Sequence, residues 1–368
     1  MTCTINGISM ANDGPHRRDF LRGKQIETTA DSFSIPLTSG ESMTAPSSGD
    51  TLRLSARAMA CDFSVIMNAG EHDHIWSASE ALELVQRLET QLTVYRENSE
   101  VTKINSMAAR AAMPVEPRLF LLLQLAYNLS EATSGAFDLT TDPLIRLWRR
   151  CRDEACVPDD DEIQSCLRDV GMQHIQLDDT AKTVKFACKD TTINLGAIGK
   201  GYALDRACEL LHDRGLRDVL LHGGRSSVLS RGDHNRCGGW PVGIGNPLFT
   251  NKRLGTIVLR DEAISTSGSN IQYFRVQGQR FGHILDPRTG RPADGTLSVT
   301  AIAPSAAQAD ALSTAFYVMG AKRTREYCLQ HPEIGAIVVP LSTSDRRVEP
   351  LVYGIDVERI YWDSSQVK

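Results

Sequence analysis

The stretch that most constrains the fold is residues 193–205, INLGAIGKGYALD, in which three glycines fall within six residues. An apolar strand pattern enters it, Gly196, Gly199 and Gly201 follow, and an apolar helical pattern leaves it through Leu211. Glycine lets two backbones approach closely, and the free N–H groups at the start of a helix can hold an anion. The stretch is not a Walker A loop, because Lys200 is followed by glycine where Ser or Thr would bind Mg²⁺, and it is not a G-x-G-x-x-G fingerprint. It predicts either a phosphate site or a close-packed turn between a strand and a helix.

A second group of polar residues falls on a predicted helix. Residues 305–319 are rich in alanine, follow an alternating run at 297–303 and end before Gly320, which is typical of a helix after a strand. Asp310 and Thr314 are then one turn apart on one face, with Ser313 beside them. Mg²⁺ prefers oxygen ligands and usually shares them with waters and substrate phosphates. The spacing predicts either a Mg²⁺ site for a phosphorylated ligand or an ordinary helix surface with solvated polar side chains.

The composition excludes several classes of protein. A chain of 368 residues can bury a large core, and its net charge of −5, with both signs scattered, excludes a basic surface for nucleic acid. No run of eighteen apolar residues predicts a membrane span. The nine cysteines are irregularly spaced without a C-x-x-C pair, which indicates reduced thiols rather than disulfides or zinc. We therefore expect a small-molecule or protein partner.

The N-terminal part of the chain differs from the rest. Arg17 and Arg18 resemble a twin-arginine export signal, but residues 23–49 are polar where such a signal needs an apolar segment. We predict a disordered tail at residues 1–50 that carries this twin-arginine relic, a main domain at 51–345 and a C-terminal extension at 346–368. The missing apolar segment and the cysteines favour the cytoplasm.

Hydrophobic periodicity predicts strands and helices throughout the main domain. Strands are predicted at 52–54, 59–67, 174–178, 183–187, 218–222, 240–244, 254–259, 263–266, 297–303 and 336–339. Helices are predicted at 75–92, after Ser99, at 117–133, from Asp160 or Asp161 through Leu167, after the glycine-rich turn, and at 305–319. The pattern contains no internal repeat of fixed period.

Short motifs follow one another along this domain in a definite order. They are MACDF (59–63), Tyr95, SGAFD (134–138), residues 194–205, Gly223-Gly224, Ser267-Gly268, HILDPRTG (283–290) and DALST (310–314). Together they resemble the ApbE-like flavin transferases, the FAD:protein FMN transferase family, over residues 55–340. One motif alone is a weak signal, whereas the whole set in register is a strong one.

This resemblance implies a fold and a reaction. The fold is α+β of the T-fold kind, with two subdomains of antiparallel or mixed sheet, packed helices and an active-site cleft between them. In the reaction FAD is split at its pyrophosphate, FMN passes to a Ser or Thr hydroxyl of a target protein, and AMP leaves. Family targets carry that Thr in a short motif rich in Asp, Ser, Gly, Ala and Thr. Family members usually work outside the cytoplasm, so the compartment stays open.

The resemblance also implies which residues form the site. Contacts with FAD are implied at Met59, Tyr95, Ala136, Phe137, Asp138, Asn194, Lys200 and Ile284. Mg²⁺ is implied at the carbonyl of Ala197 and at the side chains of Asp310, Ser313 and Thr314. This favours the metal interpretation of the predicted helix over the surface interpretation.

The metal set and a nearby histidine suit phosphoryl transfer. A Mg²⁺ held by Asp310 and Thr314 neutralises charge on the phosphate oxygens, so we expect Asp310 to be essential for catalysis. His283, which titrates near neutrality, is the candidate base for the incoming hydroxyl. The alternative for His283 is a core histidine tied to Asp286.

Other site residues have simpler alternatives or depart from the family pattern. Lys200 either meets phosphate or is a surface lysine with a buried stem. Tyr95 and Phe137 either pack on ligand rings or belong to the core. Asn194 stands where the family commonly has Asp, which removes a charge and adds hydrogen-bond donors, and Arg225 stands where Asp is common after the glycine pair.

The same residues leave two other functions open. One is a Mg²⁺-dependent FAD pyrophosphatase, in which water replaces the target hydroxyl and the products are FMN and AMP. The other is a protein that binds or stores FAD without turning it over. The products formed from FAD distinguish the three.

Overall fold

The computed structural model describes residues 49–268, 273–341 and 347–367, and the backbone of the strand Ile26–Thr29. The helices are α1 (Ile75–Leu92), α2 (Glu100–Met107), α3 (Pro117–Ala132), α4 (Asp142–Asp153), α5 (Asp160–Leu167), α6 (Gly199–Asp213) and α7 (Ala306–Gln330). The strands are β1 (Ile26–Thr29), β2 (Thr51–Ala58), β3 (Cys61–Asn68), β4 (Met113–Pro114), β5 (Ile175–Asp178), β6 (Thr183–Phe186), β7 (Val219–Gly223), β8 (Ser227–Arg231), β9 (Trp240–Gly245), β10 (Arg253–Leu259), β11 (Ala263–Gly268), β12 (Tyr273–Val276), β13 (Gln279–Gly282), β14 (Thr296–Ala303), β15 (Gly335–Pro340), β16 (Leu351–Tyr353) and β17 (Ile360–Trp362). The α+β class implied by the resemblance is confirmed.

A nine-stranded sheet forms the centre of the protein, in the order β1-β2-β3-β7-β8-β11-β14-β15-β16. Neighbouring strands pair antiparallel; for example, Ala301 of β14 lies opposite Ser265 of β11 and Ala336 of β15. Every residue of β14 is buried. A strand is buried along its whole length only when both faces of its sheet are covered, which explains the continuous apolar character of β14.

Helices cover one face of this sheet. α1 packs on β2 and β3, α6 on β7 and β8, and α7 on β11, β14 and β15, so a single large core forms between the helices and the sheet. α7 begins after Ser305, whose hydroxyl accepts a hydrogen bond from the Gln308 N–H. Gly320 adopts a non-helical φ of 72°, which breaks the helix where the sequence predicted its end. A second helical segment continues to Gln330, and the sequence did not predict it.

A three-stranded sheet, β17-β10-β9, covers the other face of the central sheet. Its Trp240 is almost completely buried and donates its indole N–H to the Arg231 carbonyl. β17 and β16 both come from residues 346–368: β17 pairs with β10 and β16 extends the central sheet. The segment predicted as a C-terminal extension thus supplies a strand to each of the two packed sheets.

One described strand lies within the predicted N-terminal tail. Strand β1 pairs antiparallel with β2 at the edge of the central sheet. The rest of the tail prediction stays a prediction. Arg17 and Arg18 lie outside the described residues.

β4, β5 and β6 form a separate three-stranded sheet, and α4 packs on α5. The hairpin of β12 and β13, which the sequence analysis missed, packs Phe274 and Phe281 against Trp148 of α4, with ring centroids 6.2 and 5.5 Å away. α4 was also missed. Within the described residues, no helix is long and apolar enough to cross a membrane.

Candidate active site at the junction of helices α6 and α7

Asp310 is the buried charge at the centre of the candidate site. It lies on α7 with 4% of its surface exposed. Its Oδ1 accepts hydrogen bonds from the Ser227 and Ser265 hydroxyls, both at 2.7 Å. Its Oδ2 accepts the Gly201 N–H at 2.9 Å and lies 3.5 Å from Lys200 Nζ. A buried carboxylate needs such donors and a nearby cation, and here helices and strands far apart in the sequence provide them.

The starts of α6 and α7 cap each other. The Gly201 N–H belongs to the first turn of α6 and would lack a helical partner without the Asp310 carboxylate. In return, Asp205 of α6 accepts the first N–H groups of α7, from Ala306 at 2.7 Å and Ala307 at 2.9 Å. Burial raises the pKa of Asp205 to about 6, although these two hydrogen bonds oppose the rise. This reciprocal capping fixes the two helices against each other.

Gly201 is required by the close approach of the two helices. A Cβ atom at this position would lie 2.0 Å from the Ala306 carbonyl oxygen and 2.6 Å from the Ala307 nitrogen. Of the two interpretations of the glycine-rich stretch, the close-packed turn is therefore confirmed at Gly201. The anion at this helix start is a carboxylate of the chain itself.

Hydroxyl groups surround Asp310 on the side of β11. Ser267 Oγ lies 2.8 Å from Ser313 Oγ and 3.3 Å from Thr314 Oγ1. Ser313 also donates to the Asp310 main-chain oxygen at 2.9 Å. The sequence placed Asp310, Ser313 and Thr314 on one helix face, and the structure confirms that placement. The alternative of a solvated helix surface is wrong, because Asp310 and Ser313 are buried.

Two serines donate to the Asp310 carboxylate, Ser227 and Ser265, and neither was predicted from the sequence. Ser265 and Ser267 alternate along β11 and therefore lie on one face of the sheet, and Ser227 lies opposite Ser265 on β8. β11 reads AISTSG, so Ser265 and Ser267 stand beside Thr266 in a polar run, and no alternating pattern distinguishes them. Their partner, Asp310, could not be identified without the strand order.

An open cavity of about 310 Å³ lies next to this cluster. Its walls are formed by Met59, Ala60, Glu89, Leu92, Thr93, Val94, Tyr95, Asn194, Leu195, Gly196, Gly199 and Lys200. Four of the eight residues expected to contact FAD, namely Met59, Tyr95, Asn194 and Lys200, therefore line one cavity. Lys200 connects the cavity to the Asp310 carboxylate, and its side chain is 25% exposed. Its contact with phosphate stays a prediction.

Tyr95 stands at the rim of the cavity. It is 74% exposed, so it is not a core residue. The Arg149 guanidinium of α4 donates to the Tyr95 hydroxyl at 3.1 Å and lies 5.8 Å from the centroid of its ring. An exposed aromatic ring held by a cation offers a flat surface to a planar ligand.

The other expected FAD contacts do not line the cavity. Ala136 and Phe137 are each 1% exposed and Ile284 is 7% exposed, and all three belong to the main core. They offer almost no surface to a ligand in this conformation, so the core alternative is correct for Phe137. Asp138 holds its own loop, accepting from Thr140 at 2.6 Å and from the Met172 N–H at 3.0 Å. Burial raises the Asp138 pKa, and these hydrogen bonds oppose the rise.

His283 is exposed, so the alternative of a core histidine is wrong. The carboxylate of Asp286 is paired with Arg288, whose Nε and terminal nitrogen each lie 2.8 Å from its oxygens. His283 follows directly after β13 and is not among the residues that line the cavity. Its role as a base stays a prediction.

The two departures from the family pattern have different surroundings. Asn194 accepts the Gly196 N–H at 2.9 Å and donates to Asp142 Oδ1 at 3.1 Å. Arg225 is exposed on the turn between β7 and β8, directly after Gly224, whose N–H bonds to the Asp62 carbonyl. Asn194 therefore forms part of the cavity wall, whereas Arg225 adds a positive charge near the turn that contains Met59.

The oxygen atoms around Asp310 are of the kind that bind a hard divalent cation. Across residues 49–268, 273–341 and 347–367, no three His, Cys, Asp or Glu side chains form a metal cluster. The oxygens near Asp310 are hydroxyls, and the half-buried Ala197 lies in the turn that opens α6. One carboxylate with neutral oxygens suits Mg²⁺ completed by phosphate and water rather than zinc. Lys200 places a positive charge 3.5 Å from Asp310 Oδ2.

The antiparallel α+β fold places a buried carboxylate beside an open cavity, an arrangement typical of a binding or catalytic site. The model of the ApbE family matches residues 59–338. A FAD:protein FMN transferase of Klebsiella pneumoniae is 32% identical over 302 residues, covering 80% of this chain and 93% of that protein. The ApbE protein of Thermotoga maritima has a crystal structure with a TM-score of 0.72 and 32% identity, covering 79% of this chain and 94% of that one. The flavin transferase ApbE of Vibrio cholerae, at 24% identity and a TM-score of 0.71, shares the fold.

The chain therefore belongs to the ApbE family. It is a transferase.

Proposed function

We propose that this enzyme moves FMN from FAD to a Ser or Thr hydroxyl of a target protein, with release of AMP, in a Mg²⁺-dependent reaction. The observation that carries the proposal is the buried Asp310 carboxylate, held among hydroxyls and joined through Lys200 to an open cavity. The names of the relatives supply the substrate class, and the position of the cavity next to the carboxylate supports it.

The cavity suits a dinucleotide with one planar end and one charged end. Tyr95 offers an exposed ring at the rim, and Met59 offers a polarisable side chain on the adjacent turn. Lys200, between the cavity and Asp310, is the cation that would meet a phosphate. We place a diphosphate near Lys200 and a ring system between Met59 and Tyr95.

The residues of the chain divide the chemistry between them. The acceptor oxygen attacks the phosphorus of the FMN half, the P–O bond to AMP breaks, and the hydroxyl proton passes to a base, for which His283 is our candidate. Asp310, Ser313, Thr314 and the Ala197 carbonyl would hold Mg²⁺, which supplies charge neutralisation on the phosphate oxygens. Lys200 supports the same charge through its ammonium group.

The proposal is tested by incubating the full chain with FAD and Mg²⁺, with and without a Thr-containing peptide rich in Asp, Ser, Gly and Ala. A matched peptide with Ala in place of Thr is the control. Flavin fluorescence that stays on the Thr peptide through a denaturing gel, together with released AMP, is the expected result. AMP and FMN without labelled peptide would indicate a pyrophosphatase, and unchanged FAD a binding protein; either outcome would replace the proposal.

A further inference from the structure

A buried carboxylate on α4 reaches the wall of the cavity. Asp142 is 4% exposed, and its Oδ1 accepts a hydrogen bond from Asn194 Nδ2 at 3.1 Å. Its Oδ2 pairs with Arg146 of the same helix at 2.6 Å. Asp142 does not itself line the cavity, whereas Asn194 does. Any effect of Asp142 on a ligand in the cavity therefore passes through Asn194.

Two fixed partners determine which way the Asn194 carboxamide points. The Gly196 main-chain N–H can only donate, so the atom 2.9 Å from it must be the carboxamide oxygen. The Asp142 carboxylate, paired with Arg146, accepts, so the atom 3.1 Å from it must be the nitrogen. A carboxamide has two N–H groups, and Asp142 takes one of them. This arrangement leaves the second N–H of Asn194, a residue that lines the cavity, for another acceptor.

We propose that Asp142 is a positioning residue that holds the Asn194 carboxamide so that it presents an N–H donor to the substrate. The inference rests on the proposed function, since the substrate is taken to be FAD. A donor at this place selects a hydrogen-bond acceptor on the substrate, such as a carbonyl oxygen or an unprotonated ring nitrogen. An aspartate at position 194 has no N–H to offer that atom.

The pair also explains why this chain carries Asn194. An aspartate there would place a second carboxylate about 3 Å from buried Asp142, and like charges at that distance in a buried site are unfavourable. With Asn194, one carboxylate and one carboxamide share a hydrogen bond, and Arg146 balances the charge. The asparagine is thus matched to Asp142.

The test measures FAD affinity by flavin fluorescence quenching, kcat and KM for AMP release, and thermal unfolding, for wild type and five variants. Asp142→Ala should raise the Kd and KM for FAD about tenfold and change kcat less than threefold, because no group near Asp310 is altered. Asp142→Asn keeps an oxygen for Asn194 and should stay within threefold of wild type. Asp153→Ala, which removes another charge of α4, should also leave the Kd unchanged.

Exchanging the side chains of positions 142 and 194 distinguishes a positioning role of Asp142 from a role in packing alone. Asn194→Asp should weaken FAD binding at least tenfold. Adding Asp142→Asn to it restores one carboxylate and one carboxamide, so thermal stability should return toward wild type while FAD binding stays at least tenfold weaker. Wild-type affinity in the double variant, or equal affinities of Asp142→Ala and Asp142→Asn, would overturn the inference. A wild-type protein that binds no FAD would instead overturn the proposed function.

Discussion

The contact between α6 and α7 at Gly201 gives a prediction whose size follows from the structure. In Gly201→Ala, the new Cβ would lie 2.0 Å from the Ala306 carbonyl oxygen, whereas an ordinary carbon-to-oxygen contact is about 3.3 Å. Both neighbours are backbone atoms, so the two helix starts must separate by about 1.3 Å. That separation breaks the hydrogen bond from the Gly201 N–H to Asp310 and stretches the two that Asp205 accepts.

The expected cost is the sum of two terms. Overpacking a close contact costs about 1 to 3 kcal/mol, and losing a hydrogen bond to a buried charged group costs about 1.5 to 3 kcal/mol. We expect the free energy of unfolding to fall by about 3 to 5 kcal/mol and the melting temperature by about 10 °C. Urea denaturation and thermal unfolding of the ligand-free protein measure both values.

Gly199 supplies the matched control, two residues away in the same helix. A Cβ there would meet only Leu195 and Leu92 side-chain atoms, at 3.8 and 4.0 Å, which are ordinary contacts. Gly199→Ala should therefore leave stability unchanged or raise it by about 0.5 to 1 kcal/mol through helix propensity. If Gly201→Ala lost less than about 1 kcal/mol, or if both variants lost the same amount, the reasoning about the helix contact would be refuted.

Three further predictions concern single residues of the site and its frame. Asp310→Ala should abolish AMP release from FAD, because it removes the central metal ligand, and a wild-type rate in a folded variant would exclude the metal site. Burial raises the pKa of Asp205 to about 6 from its ordinary value of 3.8, so its stabilising contribution is complete below about pH 4 and is lost as the pH rises through 6. We therefore expect the free energy of unfolding of wild type, relative to that of Asp205→Asn, to be highest near pH 4 and to fall toward pH 8. A difference that stays constant over this range would contradict this. Met59 and Ala60 both have left-handed backbone, with φ of 48° and 60°, in the two-residue turn between β2 and β3. Such a turn favours glycine, so Ala60→Gly should raise the free energy of unfolding by about 0.5 to 1 kcal/mol, and a loss measured by urea denaturation would show that the turn is unstrained.

Local patterns predicted many elements well. The apolar stripe at 75–92 predicted α1 with the bounds that the structure has, and Ser99 caps α2 as expected, accepting the Thr102 N–H at 3.0 Å. These features depend on residues a few positions apart, which the sequence shows directly. α5 is capped by Asp159 rather than by Asp160 or Asp161, a shift of one position within an acidic run.

Elements whose stability comes from distant contacts were missed. The hairpin of β12 and β13 rests its aromatic pair on Trp148, which lies more than 120 residues earlier in the chain. β16 and β17 are three-residue strands that exist because open sheet edges are available to them. Short strands carry too little periodicity to be recognised, and their partners supply most of their hydrogen bonds.

The sequence by itself determined the positions of the main helices and strands, the face of α7 that carries Asp310, Ser313 and Thr314, and the order of motifs that indicates the family. Only the tertiary structure decided which groups meet Asp310, since Gly201, Ser227 and Ser265 lie 109, 83 and 45 residues away from it. It likewise decided that Asn194 bonds to Asp142, 52 residues away. A helical or alternating pattern records only neighbours along the chain, whereas these contacts depend on strand order and helix packing, which arise when the whole core forms.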